Sequence, residues 1–242
     1  YFSSLSSKVA DEFDQFQRNL IISLLTEETE DRVLSSVQKF NLNSEKESLE
    51  EILSKLKISA PSSKNKLNKH FAEIKKTIDK LKSDEGPKLS VKDVLLLGSS
   101  YRSHKVVQDW NELLEKQKTI LSPKQNFIDM LNGLFQRKTV YISEQNEVYV
   151  ETESKKRFKI KDLSSGEKQL FIILGEAILQ QSTSWIYIAD EPELSLHVNW
   201  QESLISNMRK LNSNGQILSA THSPDVVSIY GNKVFDMEGH VK

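Results

Sequence analysis

Two adjacent carboxylates, Asp190 and Glu191, are the side chains of this sequence best placed to do chemistry. They follow the apolar run 186–189, which predicts a strand buried on both faces and ending where parallel sheets bind their ligands. Paired carboxylates at an apolar strand end are costly unless a cation or a reacting water uses them. We therefore expect Asp190 to hold a Mg²⁺-bound water and Glu191 to orient or deprotonate the water that attacks a γ-phosphate. The alternative is a solvated turn closed by Pro192.

A second candidate is the segment 163–169, which reads Leu-Ser-Ser-Gly-Glu-Lys-Gln. It is a turn of small residues that leads directly into an amphipathic helix. The start of a helix presents unpaired N–H groups and the positive end of the helix dipole, and Ser164 adds a hydroxyl donor. An anion such as phosphate is the expected ligand. The alternative is an ordinary capped helix, because Ser164 and Glu167 also fit a capping box.

The third candidate, His222, follows a second apolar strand pattern at 216–220. A histidine at a strand end can donate to a γ-phosphate or sense its loss, and it can equally be a hydrogen-bonded core residue. His197 precedes the next helical segment and has two comparable interpretations, a functional group or a helix cap.

Strand and helix patterns alternate around these candidates, which predicts a mainly parallel sheet. After residue 162 we expect a loop at 163–166, a helix at 167–181 and a strand at 185–190. A second helix at 197–211 and a second strand at 216–220 should follow, and then a short helix at 224–229 and a terminal strand pair at 233–242.

The chain before these motifs has a different character. Apolar residues recur every three to four positions through residues 3–121, which predicts amphipathic helices packed as hairpins. Ser44 and Glu47 form an expected capping box, a linker is expected at 59–66, and a break at 84–87.

A boundary is expected where the composition changes, between residues 121 and 122. Ser122 is a good N-cap and Pro123 suits the first helical position, so a helix should run from there to about Phe135. Alternating β-rich runs at 138–143 and 147–152 predict a hairpin, and 157–161 a third strand. The predicted domains are thus 1–121 and 122–242.

Composition bounds the function broadly. The 242 residues are 37% hydrophobic, and 33 Lys and Arg against 34 Asp and Glu give a net charge of −1. Overall charge therefore gives no case for nucleic-acid or membrane binding, although basic stretches occur at 75–76 and 155–157.

The absence of cysteine excludes disulfides and thiolate metal sites and fits a cytoplasmic protein. No apolar run approaches the length of a membrane span, and we expect a piece of a longer protein because the sequence starts at Tyr1 without Met.

The motifs, taken in order, resemble those of ABC-type ATPases. LSSGEKQ resembles the signature motif, IYIADEPE the Walker B strand, ELSLH the D-loop and ATHS the switch-histidine segment. Their style is most similar to the SMC, RecF and OLD-like group, including the AAA-family ATPases of bacterial anti-phage defence of the Septu- or retron-associated type. The resemblance covers 122–242. It implies an α/β P-loop NTPase head, of which 122–242 is the C-terminal lobe with a mainly parallel sheet, and 1–121 a long helical, coiled-coil-like insertion.

The resemblance also implies roles for individual residues and for ATP and Mg²⁺ as ligands. Glu191 would be the general base, His222 the γ-phosphate contact and Asp190 a Mg²⁺ ligand through water. The remaining positions would serve a head-to-tail dimer, in which they contact ATP of the opposite subunit or the subunit interface: Ser164, Ser165, Gly166, Glu167 and Ser195. Two of them depart from the common LSGGQ, since Ser165 replaces its first glycine and Glu167 its glutamine.

One motif of such ATPases is absent. A P-loop needs GxxxxGK[ST], and the sequence contains no Gly-Lys pair. We therefore expect the P-loop in a lobe preceding Tyr1, and this chain alone to be inactive. The predicted protein is a cytoplasmic ATPase that dimerises around nucleotide and controls an effector, by analogy a nuclease, in anti-phage defence or DNA maintenance. The alternatives are a nucleotide-gated scaffold with little turnover and an SMC- or RecF-like DNA clamp; a transporter subunit is disfavoured, and no membrane contact is expected.

Overall fold

The computed structural model describes residues 1–23, 41–58, 61–81, 89–180 and 183–237. These residues form two compact units. One, here called the helical unit, spans Ser7–Thr119; the other, the α/β unit, comprises Tyr1–Ser6 and Ile120–Lys242. The functional assignment of the predicted domains 1–121 and 122–242, as an insertion and a nucleotide lobe, stays a prediction.

Long amphipathic helices build the helical unit, as the apolar periodicity predicts. Their bounds are α1 Phe2–Ser23, α2 Leu42–Lys55, α3 Pro61–Leu81 and α4 Val91–Leu134. The cap of α2 is Asn41, whose side chain accepts hydrogen bonds from the amides of Asn43 and Ser44, so the expected Ser44–Glu47 cap is wrong. Residues 61–66 are helical rather than a linker, while 59–60 and the expected break at 84–87 lie outside the described residues. Among the described residues, no helix combines the length and the apolar character that crossing a membrane requires.

Two apolar clusters hold these helices together. In the first, Phe16 of α1 meets Trp110 of α4 edge to face, with the ring centroids 5.4 Å apart, and Ile52 of α2 packs beside them. In the second, Ile74 of α3 and Leu97 of α4 are almost fully buried. Burial of each such side chain stabilises the fold by about 1.5–3 kcal/mol, which explains why helices with many charged residues pack stably.

The helix α4 passes through the expected boundary without a break. Pro123 lies inside α4 instead of at a helix start, so the predicted N-cap at Ser122 is wrong. A proline inside a helix costs about 3 kcal/mol because it removes one backbone hydrogen bond. The flanking residues outweigh this cost, since Trp110 and Leu113 are buried before the proline and Phe127 and Leu131 after it.

The α/β unit contains two small sheets, and an α-helix separates the two strands of the second one. After α4 its elements are β1 Lys138–Ile142, β2 Val148–Thr152, β3 Arg157–Lys159, a 3-10 turn Ile160–Asp162, α5 Ser165–Leu179, β4 Trp185–Asp190, α6 Val198–Leu211, β5 Gly215–Ala220, α7 Pro224–Val227 and a 3-10 turn Gly231–Lys233. The strands β1, β2 and β3 form an antiparallel sheet, and β4 pairs with β5 in parallel. The predicted hairpin is confirmed, the expected parallel pairing is found between β4 and β5, and the α/β fold class is confirmed. Residues 234–237 form no strand, so the expected terminal strand pair is wrong there, and 238–242 lie outside the described residues.

Among the described residues, the parallel sheet is covered on one face only. Tyr187 and Ile217 pack against the core cluster built on Leu170, Leu174 and Leu204. The alternate residues Ile186, Ile188 and Leu218 are 60%, 74% and 57% exposed. The prediction of a strand buried on both faces is therefore wrong, because in the described part of the chain α5 and α6 cover one side of β4 and nothing covers the other.

Candidate functional site

The carboxyl ends of β4 and β5 bring Glu191 and His222 together. The parallel register pairs Asp190 with Ala220, and the amide of Glu191 donates to the carbonyl of Ala220 over 2.8 Å. This alignment places the first residues after each strand side by side. As a result, the His222 Nε2 atom lies 3.7 Å from Glu191 Oε1.

Both side chains are open to solvent. The His222 side chain is 94% exposed and that of Glu191 43%. A solvent-exposed contact of this kind between a carboxylate and an imidazole contributes little to stability, so its stabilising value does not account for the arrangement. Glu191 also has a φ of 43°, in the left-handed region that non-glycine residues rarely adopt and that is often found at functional sites. The pair is thus accessible to a phosphorylated ligand and held by an uncommon backbone conformation.

Asp190, at the last position of β4, is exposed as well. The cost of burying two carboxylates, from which the sequence predicts a metal, therefore does not arise. No group of three or more His, Asp or Glu side chains suited to a metal ion occurs among the described residues. Mg²⁺ keeps several waters and takes phosphate oxygens along with one or two carboxylates, so Asp190 fits a water-mediated ligand but not a complete ion site.

The start of α5 has the predicted capping box. Ser164 Oγ accepts from the amide of Glu167, and the Glu167 carboxylate accepts from the amide and the hydroxyl of Ser164 over 3.0 and 2.9 Å. Lys138 adds an ion pair to the same carboxylate at 2.6 and 2.8 Å. Burial alone raises the pKa of Glu167, but the hydrogen bonds from Lys138 and Ser164 outweigh it, so the pKa is lowered. The capped-helix interpretation is confirmed, and Glu167 is buried and fully engaged within the chain.

The two serines before Gly166 differ from Glu167 in being open to solvent. Ser164 and Ser165 are exposed, and Ser165 and Gly166 occupy the first helical positions, where backbone amides have no intrahelical acceptor. The two serines are therefore available to an external anion, whereas Gly166 and Glu167 are buried. The role of all four residues in nucleotide binding stays a prediction.

Gly166 joins this helix start to the loop after β4. A Cβ atom placed on Gly166 would collide with the carbonyl oxygen of Ser195 and come within 3.7 Å of the Trp200 ring. Ser195 itself is exposed and has a φ of 70°. The segments that resemble a signature motif and a D-loop are thus in direct backbone contact, and only glycine permits that contact.

Two residues that connect the loops after β4 and β5, Glu193 and Thr221, escape sequence reasoning. Glu193 is buried although it is charged, and it accepts a hydrogen bond from the Thr221 hydroxyl. The only sequence signal is a third carboxylate within four residues, which is not specific. His197 caps α6 by accepting from the amide of Asn199 over 3.4 Å, so its interpretation as a cap is confirmed.

A family model decides the class of protein. The model described as "AAA domain, putative AbiEii toxin, Type IV TA system" matches residues 4–228. The chain belongs to this family. Membership confirms that the chain contains an ATPase-type domain, which is the broad part of the prediction made from the sequence motifs. No curated protein matches the chain significantly.

Solved structures of SMC proteins are similar at a low level. A structure from work on ATP-driven dimerization and DNA-stimulated activation of SMC ATPases is 16% identical, with 47% of this chain and 75% of that chain covered and a TM-score of 0.38. An Smc head domain of Pyrococcus furiosus, solved with an extended coiled coil and bound to the C-terminal domain of ScpA, is 14% identical, with coverage of 93% and 49% and a TM-score of 0.38. An Smc head domain of Pyrococcus yayanosii with a coiled coil and joint is 13% identical, with coverage of 93% and 55% and a TM-score of 0.37. This chain therefore spans about half the length of the two Pyrococcus chains, and likenesses this weak carry no functional conclusion.

Proposed function

We propose that this AAA-family domain supplies the hydrolytic half of an ATPase site. The observation that supports this most directly is the pairing of Glu191 with His222 at the aligned ends of β4 and β5, in a protein whose family is an ATPase family. In this proposal Glu191 takes a proton from the attacking water. His222 donates to the γ-phosphate, and Asp190 holds a water of the Mg²⁺ ion, which neutralises charge on the phosphates.

The site is shared between two subunits in this proposal. The contact of Gly166 with Ser195 places the exposed Ser164 and Ser165 beside the loop that follows Glu191. A head-to-tail homodimer would then present this signature-like segment to ATP held by the partner. Backbone amides and hydroxyls at a helix start suit the charge of a γ-phosphate.

The phosphate-binding lysine comes from elsewhere in this proposal. The sequence has no Gly-Lys pair, and the face of β4 that carries Ile186 and Ile188 is open in the described residues. A P-loop lobe of the full-length protein would cover that face, and residues 1–242 alone would not hydrolyse ATP. The proposed biological role is control of an effector, such as a nuclease, in cytoplasmic anti-phage defence or DNA maintenance.

A matched pair of variants tests the proposal in the full-length protein. Glu191→Gln should lower kcat for ATP hydrolysis by about 10²–10⁴-fold because it removes the general base, with ATP binding retained. Glu202→Gln, on an exposed position of α6, is the control and should leave kcat unchanged. Equal turnover by the two variants would refute the assignment. Tight ATP-dependent dimerisation with negligible turnover by the wild type would identify the nucleotide-gated scaffold instead.

A DNA clamp is a second candidate because of the outer face of α3. Six lysines on this helix are exposed: Lys64, Lys66, Lys69, Lys75, Lys76 and Lys80, the last of which pairs with Asp93. The six lysines of α3 outnumber its acidic residues, Glu73 and Asp79, so this helix is net positive although the whole chain has a net charge of −1. Such a face suits the phosphate backbone of a nucleic acid.

A further inference from the structure

A closed ring of hydrogen bonds connects the loop after β4 with the loop after β5. Glu193 Oε1 accepts from the hydroxyl of Thr221, and Thr221 Oγ1 accepts from the amide of Ser223 over 3.0 Å. The Ser223 hydroxyl donates to Gln201 Oε1 over 2.7 Å, and Gln201 Nε2 donates to the Leu196 carbonyl over 2.9 Å. The Leu196 amide closes the ring by donating to the Glu193 carbonyl over 2.9 Å.

The position of this ring is specific. His222 lies between Thr221 and Ser223, and both of these neighbours are ring members. In the other loop, Glu193 and Leu196 lie on either side of Leu194 and Ser195. Glu193 is two residues after Glu191. The ring therefore holds both loops of the proposed site.

The energetics make this ring sensitive to the loss of one hydroxyl. Glu193 is 7% exposed, and its Oε2 atom is buried without a hydrogen-bond partner among the described residues. The hydrogen bond from Thr221 is therefore the only one that the described residues give to the buried carboxyl group of Glu193. A buried carboxyl group that loses its hydrogen-bond partner is unfavourable, so the loops would rearrange if the Thr221 hydroxyl were removed.

We infer that Glu193 and Thr221 are positioning residues that hold His222 in register with Glu191 for phosphate hydrolysis. This inference rests on the proposed function. The exposed His222 side chain has little packing of its own, so its placement depends on the backbone on either side of it. Pre-organised placement of catalytic groups accounts for a large part of enzymatic rate enhancement, and a shift of about 1 Å can cost 10²-fold in rate.

The test uses Thr221→Val in the full-length protein. Valine keeps the size of threonine and removes the hydroxyl, so kcat should fall by about 10- to 100-fold while KM for ATP changes little. Hydrogen exchange in the segment containing 221–223 should become faster. Thr221→Ser keeps the hydroxyl and should restore both kcat and exchange protection.

The helical unit provides a matched control. Thr77 is buried and, like the partly buried Thr221, donates to a carboxylate, in this case Asp93 Oδ1 over 3.1 Å, so Thr77→Val makes the same chemical change in the other unit. It should lower stability without lowering kcat.

Two results would overturn the inference alone. The first is that Thr221→Val keeps the wild-type kcat while Glu191→Gln is inactive. The second is that Thr77→Val loses as much kcat as Thr221→Val does. Full turnover by Glu191→Gln would overturn the proposed function and with it the role of the ring.

Discussion

At the scale of single residues, Glu167 combines two roles that the sequence reveals unequally. The spacing of Ser164 and Glu167 predicts the capping box because the interaction is local. The ion pair with Lys138 links positions 29 residues apart, so no local pattern could predict it. The same limit applies to Glu193 and Thr221, whereas Glu191 and His222 are predictable because each directly follows an apolar strand pattern.

Glu167 should give the protein an acid-sensitive stability. Its pKa is lowered in the folded state, so the folded protein binds this proton more weakly than the unfolded chain does. The stabilisation is complete above the ordinary pKa of a glutamate and is lost as the pH falls through the lowered value. Glu167→Gln should reduce the free energy of unfolding at neutral pH by about 1–2 kcal/mol and flatten its decrease in acid. Urea unfolding at several pH values measures both effects, and an unchanged pH profile would contradict the prediction.

Gly166 and Gly175, which lie on the same helix, should respond oppositely to the same substitution. Gly166→Ala forces a Cβ against the Ser195 carbonyl, so we expect a loss of about 1–3 kcal/mol in unfolding free energy and impaired hydrolysis. Gly175 has nothing within 4 Å of an added Cβ, and Gly175→Ala should stabilise α5 by about 0.5–1 kcal/mol. Thermal unfolding and ATPase assays on both variants check this, and equal effects would refute the close contact.

At the scale of elements, the sequence predicts the order of helices and strands better than their ends and surroundings. Periodicity identifies α5, β4, α6 and β5 because each has a consistent pattern of apolar residues. The same pattern cannot show which faces of β4 are covered, since that depends on distant parts of the chain. Pro123 misleads for a related reason, because long-range burial overrides a local helix-start signal.

Pro123 should be replaceable with a gain in stability. In the interior of α4 it removes a backbone hydrogen bond, so Pro123→Ala should raise the free energy of unfolding by about 1–3 kcal/mol. Chemical denaturation of the full-length protein measures the difference. A decrease would mean that the fold depends on the proline.

The exposed lysines of α3 provide the test of the DNA clamp. If this helix binds duplex DNA, replacing Lys66, Lys69 and Lys76 with alanine should reduce the slope of log affinity against log salt by about 2–3, roughly 0.9 for each lost phosphate contact. Lys46 and Lys116 already pair with acidic residues, and their replacement is the control. No DNA binding by the wild type at low salt would exclude the clamp.

At the scale of the whole molecule, the central claim is that each ATPase site takes Glu191 and His222 from one subunit and the Ser164–Gly166 segment from the other. The chain cannot show this by itself, because a shared site exists only in the assembled dimer. The residues involved nevertheless separate into two sets that can be inactivated independently.

A mixing experiment measures this division directly. Glu191→Gln inactivates one set, and Ser165→Glu, which puts a negative charge at an exposed position of the other set without pressing on the loop after β4, inactivates the second, so each full-length variant alone should be nearly inactive. Random exchange of subunits makes mixed dimers, in which both changes fall in one site and the second site is intact. The mixture should therefore recover about a quarter of wild-type ATPase activity, as expected for a two-fold symmetric dimer with two shared sites. A mixture as inactive as either variant alone would contradict the account.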